Sequence, residues 1–315
     1  ETPDRLNERQ FARWCMLYCR AADKLSEDML YTEQLDRALS WFKNHGSVEE
    51  QAWMGLYLGR SYVKDKLFVP AMKAYSEALG LAKEKRLYDV AGYICSYMAD
   101  LYTYTKQRSE ERRKFEEAAE FFKQAGNERS YAFALRDVAK TWAFDDSLSL
   151  VLCYMLRADS VITKLRDSAG IGVIANGLGN IYNLMGDIEK SKSYFIKSLN
   201  SDTIYQAPTY LALSSLYYDE NILDSARCYL AKVTGAPANP YTLVDRFYLG
   251  YLIEKDAGDT EKALSYLEQY QEKKDSLYDK QKQVDIIDAE KRHDVTTVVQ
   301  DNKKLVEEKL LLFAL

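Results

Sequence analysis

The stretch GVIANGLGNIYNLMGDIEKSKSYFIKSLNSDTIY, residues 172–205, decides the architecture. A large apolar residue precedes a small one at Leu178-Gly179, the aromatic Tyr182 comes three residues later, and Gly186-Asp187 separates this run from a second apolar-periodic run. Glycine closes helices and aspartate caps their starts, so the spacing predicts a helix, a tight turn and a second helix. Working outward, the same pair recurs as Leu58-Gly59, Met98-Ala99, Val138-Ala139, Leu213-Ser214 and Leu249-Gly250, at successive intervals of roughly 40, 40, 40, 35 and 36 residues. Tyr62, Tyr102, Trp142, Tyr217 and Ile253 occupy the place of Tyr182. The second run also repeats: Ala71-x3-Tyr75-x2-Ala78, Ala226-x3-Leu230 and Ala263-x3-Leu267 place a small residue before a large one, and Pro70 and Gly258-Asp259 mark further helix starts.

Small residues let two helices touch, and the aromatic that follows is expected to fill the gap beside them. This pattern resembles the tetratricopeptide-repeat (TPR) family over about residues 52 to 275. The repeats beginning at 92 and 132 depart from it. They carry Glu111 and Val151 where a small alanine is usual, and their length predicts extended helices or loops. Two amphipathic segments, Phe11 to Ala22 and Leu30 to Phe42, lack the small-residue pair and are read as a divergent capping hairpin. The expected fold is therefore all-α, an α-α superhelix (a TPR solenoid) of about seven hairpins followed by a long C-terminal helix. Its parts are a cap over residues 1–51, TPR-like repeats over 52–280 and a charged helical stalk over 281–315.

Composition supports this class. The chain has 315 residues but only 5 Pro and 14 Gly, and no Pro/Gly/Ser-rich linker divides it. Its 43 Lys+Arg and 48 Asp+Glu are interspersed, which leaves no broad basic face for a phosphate backbone, so no direct nucleic-acid contact is expected. Cys15, Cys19, Cys95, Cys153 and Cys228 lack CxxC spacing and are read as small buried thiols on apolar helix faces. His45 and His293 lie far apart and belong to no metal-ligand pattern; both are read as surface residues. Gly170, Gly172, Gly177 and Gly179 follow no strand and lack the GK[ST] ending of a phosphate loop. Neither catalytic residues, a metal site nor a cofactor is expected.

The resemblance implies that the first helix of each hairpin lines the concave face. Counting back from the anchor pairs selects Arg60, Tyr93, Tyr97, Asp100, Tyr104, Arg136, Lys140, Asn176, Asn180, Asn183, Tyr218 and Tyr251 as groove residues. This mixture suits an extended peptide or a partner helix. Asn176, Asn180 and Asn183 share one helix face, where their amides can serve a peptide backbone. Some TPR proteins hold a terminal carboxylate with Lys and Asn; Arg136, Lys140, Asn176 and Asn180 have similar chemistry but not the family's clamp positions.

Beyond the repeats, Tyr270, Leu277, Val284, Lys291, Val298, Leu305 and Leu312 recur every seven residues, yet the companion series from Leu267 to Lys309 is largely polar. The segment is either a stalk able to support a homodimer or a helix packed back on the array. Leu310 to Leu315 is wholly apolar and matches the first third of a membrane-spanning helix inserting just beyond Leu315, or an ordinary amphipathic end. With Asp275-Ser276-Leu277-Tyr278, the arrangement resembles bacterial membrane-anchored signalling or transcription-regulating proteins. That resemblance implies an array on the periplasmic side acting as sensor for an output domain. The alternative is a self-contained cytoplasmic TPR adaptor or scaffold.

Overall fold

The structure, a computed structural model, describes residues 6–277 apart from residues 26, 105–106, 144, 146, 202–205 and 234–239. These residues form helices α1 (Glu8–Lys24), α2 (Thr32–His45), α3 (Val48–Lys64), α4 (Phe68–Glu84), α5 (Tyr88–Tyr104), α6 (Arg108–Ala125) and α7 (Glu128–Ala143). The series continues with α8 (Leu148–Leu165), α9 (Ser168–Leu184), α10 (Ile188–Leu199), α11 (Gln206–Asp219), α12 (Leu223–Ala231) and α13 (Pro240–Asp256). A last helix, α14, runs over 260–277, and no strand occurs among the described residues. Two compact units are present, Glu1–Tyr205 with the hairpins α1/α2 to α9/α10, and Gln206–Leu315 with α11/α12 and α13/α14. The expected stalk over 281–315, its apolar end and His293 lie outside the described residues.

Local sequence sets the helix ends. Asn7 with Gln10 and Ser47 with Glu50 form reciprocal capping boxes, satisfying first-turn N–H groups that otherwise have no partner. Asp187 accepts from the Lys190 N–H at 3.2 Å, directly after Gly186 at φ +77°, as the Gly-Asp pair predicts. Lys66, Arg86, Gly126, Arg166, Asn221 and Gly258 also have positive φ, so turns both within hairpins and between them pass through a left-handed residue whether or not it is glycine.

Packing inside each hairpin follows one rule with a fixed offset. The residue that meets the anchor glycine lies sixteen positions further on: Tyr75 against Gly59, Phe195 against Gly179 and Tyr266 against Gly250. The aromatic three residues after the anchor does not fill that space; Tyr182, for instance, stacks on Tyr194 at 5.4 Å instead. Where the anchor is alanine, the residue at the same offset is a different one: Ala99 shares a cluster with Phe115, and Ala139 shares one with Met155. Tyr75 and Phe195 are wholly buried, each removing enough apolar surface to contribute about 2–3 kcal/mol.

The irregular repeats owe their length to their helices. Helices α6 and α8 each have 18 residues whereas α10 has 12, and α4, with 17, shows that the first repeat shares the extension. Glu111 is buried in place of the usual alanine, and accepts from the Thr103 hydroxyl and from Arg108, both at 3.0 Å. These partners offset the desolvation of its charge.

Two expectations need correction. Cys15, Cys19 and Cys95 are buried, but Cys153 and Cys228 are exposed, because they lie on faces of α8 and α12 that no helix among the described residues covers.

Candidate functional site

In the first unit α3 packs against α5 and α7 against α9, α5 and α7 are joined through the side chains of Tyr93 and Ser130, and α4, α6 and α8 make no comparable contacts among themselves. A stack in which one set of helices is drawn together curves toward that set, so the first helices form the inner face. Side-chain bonds run along it: Asn127 donates to Asp89 at 2.7 Å, Tyr93 and Ser130 share a hydroxyl–hydroxyl bond of 3.0 Å, and Arg129 donates to Asp167 at 2.5 Å.

The repeat length makes the inner face a set of columns. Trp53, Tyr93 and Phe133 occupy one, and Arg60, Asp100, Lys140 and Asn180 another, each residue displaced from the last by one 40-residue repeat. Trp53 and Tyr93 lie 5.8 Å apart between ring centres, and all three aromatics of that column are half-buried.

Of the expected groove residues, Arg60 donates to Asp23 and to the Glu27 carbonyl at 3.4 Å, and its guanidinium sits 4.8 Å above the Tyr97 ring. Burial pushes the Tyr97 phenol up to about 12, and its ring stacks on Tyr75 at 6.3 Å. Asp100 is exposed, yet burial within the surrounding protein pushes its carboxyl up to about 7. Exposure and desolvation coexist on a concave floor, where water enters from one side only. The carboxyl also feels Asp137 and Glu111, which raise it, against Lys140 and Arg136.

Arg136 and Lys140 are both spoken for. Arg136 donates to Asp137 Oδ1 at 2.8 and 3.0 Å, and Lys140 donates to the same oxygen at 3.1 Å. A carboxylate ligand there would have to compete with Asp137. Asn180 donates to Asn176 Oδ1 at 3.3 Å, and Asn183 is half-buried on the same helix. The side chain of Tyr104 lies outside the described residues.

Tyr218 and Tyr251 belong to the second unit. The Tyr218 hydroxyl donates to Asp256 at 2.7 Å, and that bond to a carboxylate, with burial second, pushes the phenol up to about 12. Tyr251 lies 5.8 Å beneath Lys255 and 6.2 Å from Tyr248.

Asp137 and Tyr75 were missed by the sequence reading. Adding one repeat to Tyr97 finds Asp137, whereas Tyr75 reaches the inner face from a second helix and carries no such signal. The four-glycine group is a packing device: a Cβ at Gly170 would meet Ile162, and one at Gly177 would meet Met155. His45 is exposed, hydrogen-bonded through Nδ1 to the Trp41 carbonyl at 3.0 Å and stacked on the Trp41 ring. Among the described residues no three His, Cys, Asp or Glu side chains converge as a metal site.

The chain is thus an all-α superhelix of tetratricopeptide-repeat type. Neither a family model nor a curated protein sequence matches it. Among solved structures it is similar to PilF of Pseudomonas aeruginosa, with 19% identity and a TM-score of 0.54 over 73% of this chain and 99% of that one. A Rap protein complexed with competence and sporulation factor gives 16% identity and a TM-score of 0.57 over 87% and 78%. The C-terminal part of a TPR repeat-containing protein from Cytophaga hutchinsonii gives 13% and 0.54 over 82% and 93%. At these identities the likeness establishes the fold.

Proposed function

We propose that the inner face of the first unit is a binding groove for an extended peptide or a helix of a partner protein, and that the chain is a non-catalytic interaction module. One observation carries this reading: aromatic and hydrogen-bonding side chains stand in columns along the first helices, one rung per repeat, while the fully buried apolar residues are used in the continuous core within and between hairpins. Half-buried aromatics offer large contact area at low entropic cost, and periodic polar groups suit a repetitive peptide backbone. The similar Rap protein, solved with competence and sporulation factor, supports a ligand-holding role for this fold. Selection of random 12-residue peptides displayed on phage against the whole chain tests it. Enriched peptides should lose at least tenfold in affinity on Tyr93→Ala and none on Lys85→Ala, a residue on the outer helix layer. Equal loss in both variants, or no enrichment at all, overturns the reading.

The wider role we infer is the sensor region of a membrane-anchored bacterial signalling or transcription-regulating protein. In this reading the array lies outside the cytoplasm and the stalk pairs two copies. Asp275-Ser276-Leu277-Tyr278 and the apolar run from Leu310 to Leu315 support it. No helix of the described residues is long and apolar enough to cross a membrane, so the anchor would lie beyond them. The coding sequence past Leu315 decides this: another dozen apolar residues and an output domain are expected, and a stop codon refutes it. Sedimentation with and without residues 281–315 tests pairing, and equal masses refute a dimeric stalk. One observation favours a cytoplasmic adaptor instead: exposed, unpaired Cys153 and Cys228 fit a reducing compartment.

A further inference from the structure

Along the column of Arg60, Asp100 and Lys140 the cations are matched locally, whereas Asp100 is not. Arg60 is engaged by Asp23, and Arg136 and Lys140 are both engaged by Asp137. Asp100, in the same column as Arg60 and Lys140, makes no hydrogen bond or ion pair among the described residues. Beneath it is a second unmet group. The Tyr75 hydroxyl is sealed from solvent and has no hydrogen-bond partner, although a buried hydroxyl nearly always finds one. The groups that act on it electrostatically are Tyr97, Arg60 and Asp100, so it comes up from α4 against the floor of the groove. Gly59 opens the passage, because the Tyr75 ring occupies the space a side chain at that position would need.

We propose that Asp100 is the seat for an ammonium group of the groove ligand, a lysine side chain or a free peptide N-terminus, with the Tyr75 hydroxyl donating to the carboxylate in the bound state. The assignment rests on the peptide-groove reading above and specifies the ligand's charge. A cation meets the unmatched carboxylate of Asp100, whereas an anion would meet Asp100 and Asp137 together. The aromatic wall is compatible with positive charge, since the Tyr97 ring already lies under a guanidinium. A bound cation holds Asp100 ionised, and the sealed hydroxyl, which already feels the Asp100 charge, can then donate to it when the Asp100 side chain turns toward it.

The elements around Asp100 also set a pH dependence. Asp137, Arg136 and Lys140 face it from α7, Glu111 from α6, Tyr97 from its own helix, Arg60 from α3 and Tyr75 from α4. Its carboxyl is raised to about 7, so the free protein protonates it as the medium acidifies and ammonium binding weakens below neutrality.

The test immobilises the whole chain and passes degenerate peptide pools over it. One pool is acetylated X4-Lys-X4, one is acetylated X4-Leu-X4 and one is X4-Leu-X4 with a free N-terminus, X excluding Lys, Arg and Cys. At pH 8 the Lys or free-terminus pool should be retained about five-fold more than the acetylated Leu pool, with the advantage shrinking at pH 5.5. Asp100→Asn should abolish the advantage. Tyr75→Phe should reduce it without lowering the melting temperature, because the hydroxyl contributes no bond to the free fold. A cationic advantage that survives Asp100→Asn, or equal retention of all pools by the wild type, overturns the ammonium seat and leaves the groove standing. No retention of any pool removes both. An unchanged advantage in Tyr75→Phe overturns the role of the hydroxyl.

Discussion

Replacing Gly59 by alanine should destabilise the chain despite alanine's better helix propensity. An added Cβ would lie 2.2 Å from Tyr75 Cε1, 2.4 Å from Cδ1 and 2.9 Å from Cζ. Carbon atoms pack at about 3.5–4.0 Å, so the ring or the helix pair must give by more than about 1 Å. Tyr75 is fully buried and cannot swing out. Overpacking of this severity costs about 3 kcal/mol, and the Gly-to-Ala gain within a helix returns about 1, leaving a net loss of about 2 kcal/mol. Urea denaturation followed by far-UV circular dichroism reads the change, with Gly80→Ala as the internal comparison. Gly80 lies in α4 with nothing within 4 Å of an added Cβ, so that substitution should gain about 0.5–1 kcal/mol. The chain itself suggests a rescue, since the alanine anchors Ala99 and Ala139 occur with Phe115 and Met155 at the sixteen-residue offset. Gly59→Ala combined with Tyr75→Met should recover at least half of the loss. If Gly59→Ala behaves like Gly80→Ala, the close-approach reasoning is wrong.

Other outcomes follow from single sites. Asp100 has a folded-state pKa raised above its unfolded value, so the native chain holds a proton that the unfolded chain releases. Stability therefore falls as pH rises from about 4 to about 7. Solvent screening of this exposed side chain limits the effect to about 1 kcal/mol, and Asp100→Asn should be more stable than the wild type by that amount at pH 8 and equal to it at pH 4, measured by urea melts. A wild-type advantage at pH 8 would contradict the desolvated environment. Burial pushes Cys15 up to about 11 and Cys19 and Cys95 up to about 12, so a thiol-disulfide reagent should titrate two thiols quickly in the native chain and all five only after unfolding. Five equal rates would refute the burial. Arg166 closes α8 at φ +56°, and Arg166→Gly should raise stability by about 1 kcal/mol; a loss would mean that the arginine side chain holds the turn.

The hairpins were legible because the repeat writes the same steric demand many times: a small anchor, a turn signal, a second small residue. Helix α9 and its Gly186-Asp187 turn came directly from that pattern. What was less legible depends on partners in other elements. Nothing near Gly59 in sequence says that Tyr75 will cover it, and the aromatic three residues beyond the anchor was assigned that task only because it is nearer. The same limit applies to the groove. First-helix positions such as Tyr93 and Asp100 could be chosen by counting, but the neutralisation of Arg136 and Lys140 by Asp137 depends on side-chain direction. The exposure of Cys153 and Cys228 shows the converse, since an apolar-looking helix face is buried only if another helix arrives to cover it.

The sixteen-residue offset has a consequence for how such an array diversifies. Each anchor finds its cover inside its own hairpin, so the steric match travels with the module. Duplication, loss or exchange of a whole hairpin leaves every such match intact, and a rung of the inner face can change from arginine to aspartate to lysine without disturbing it. Recognition can drift along the array faster than its framework does.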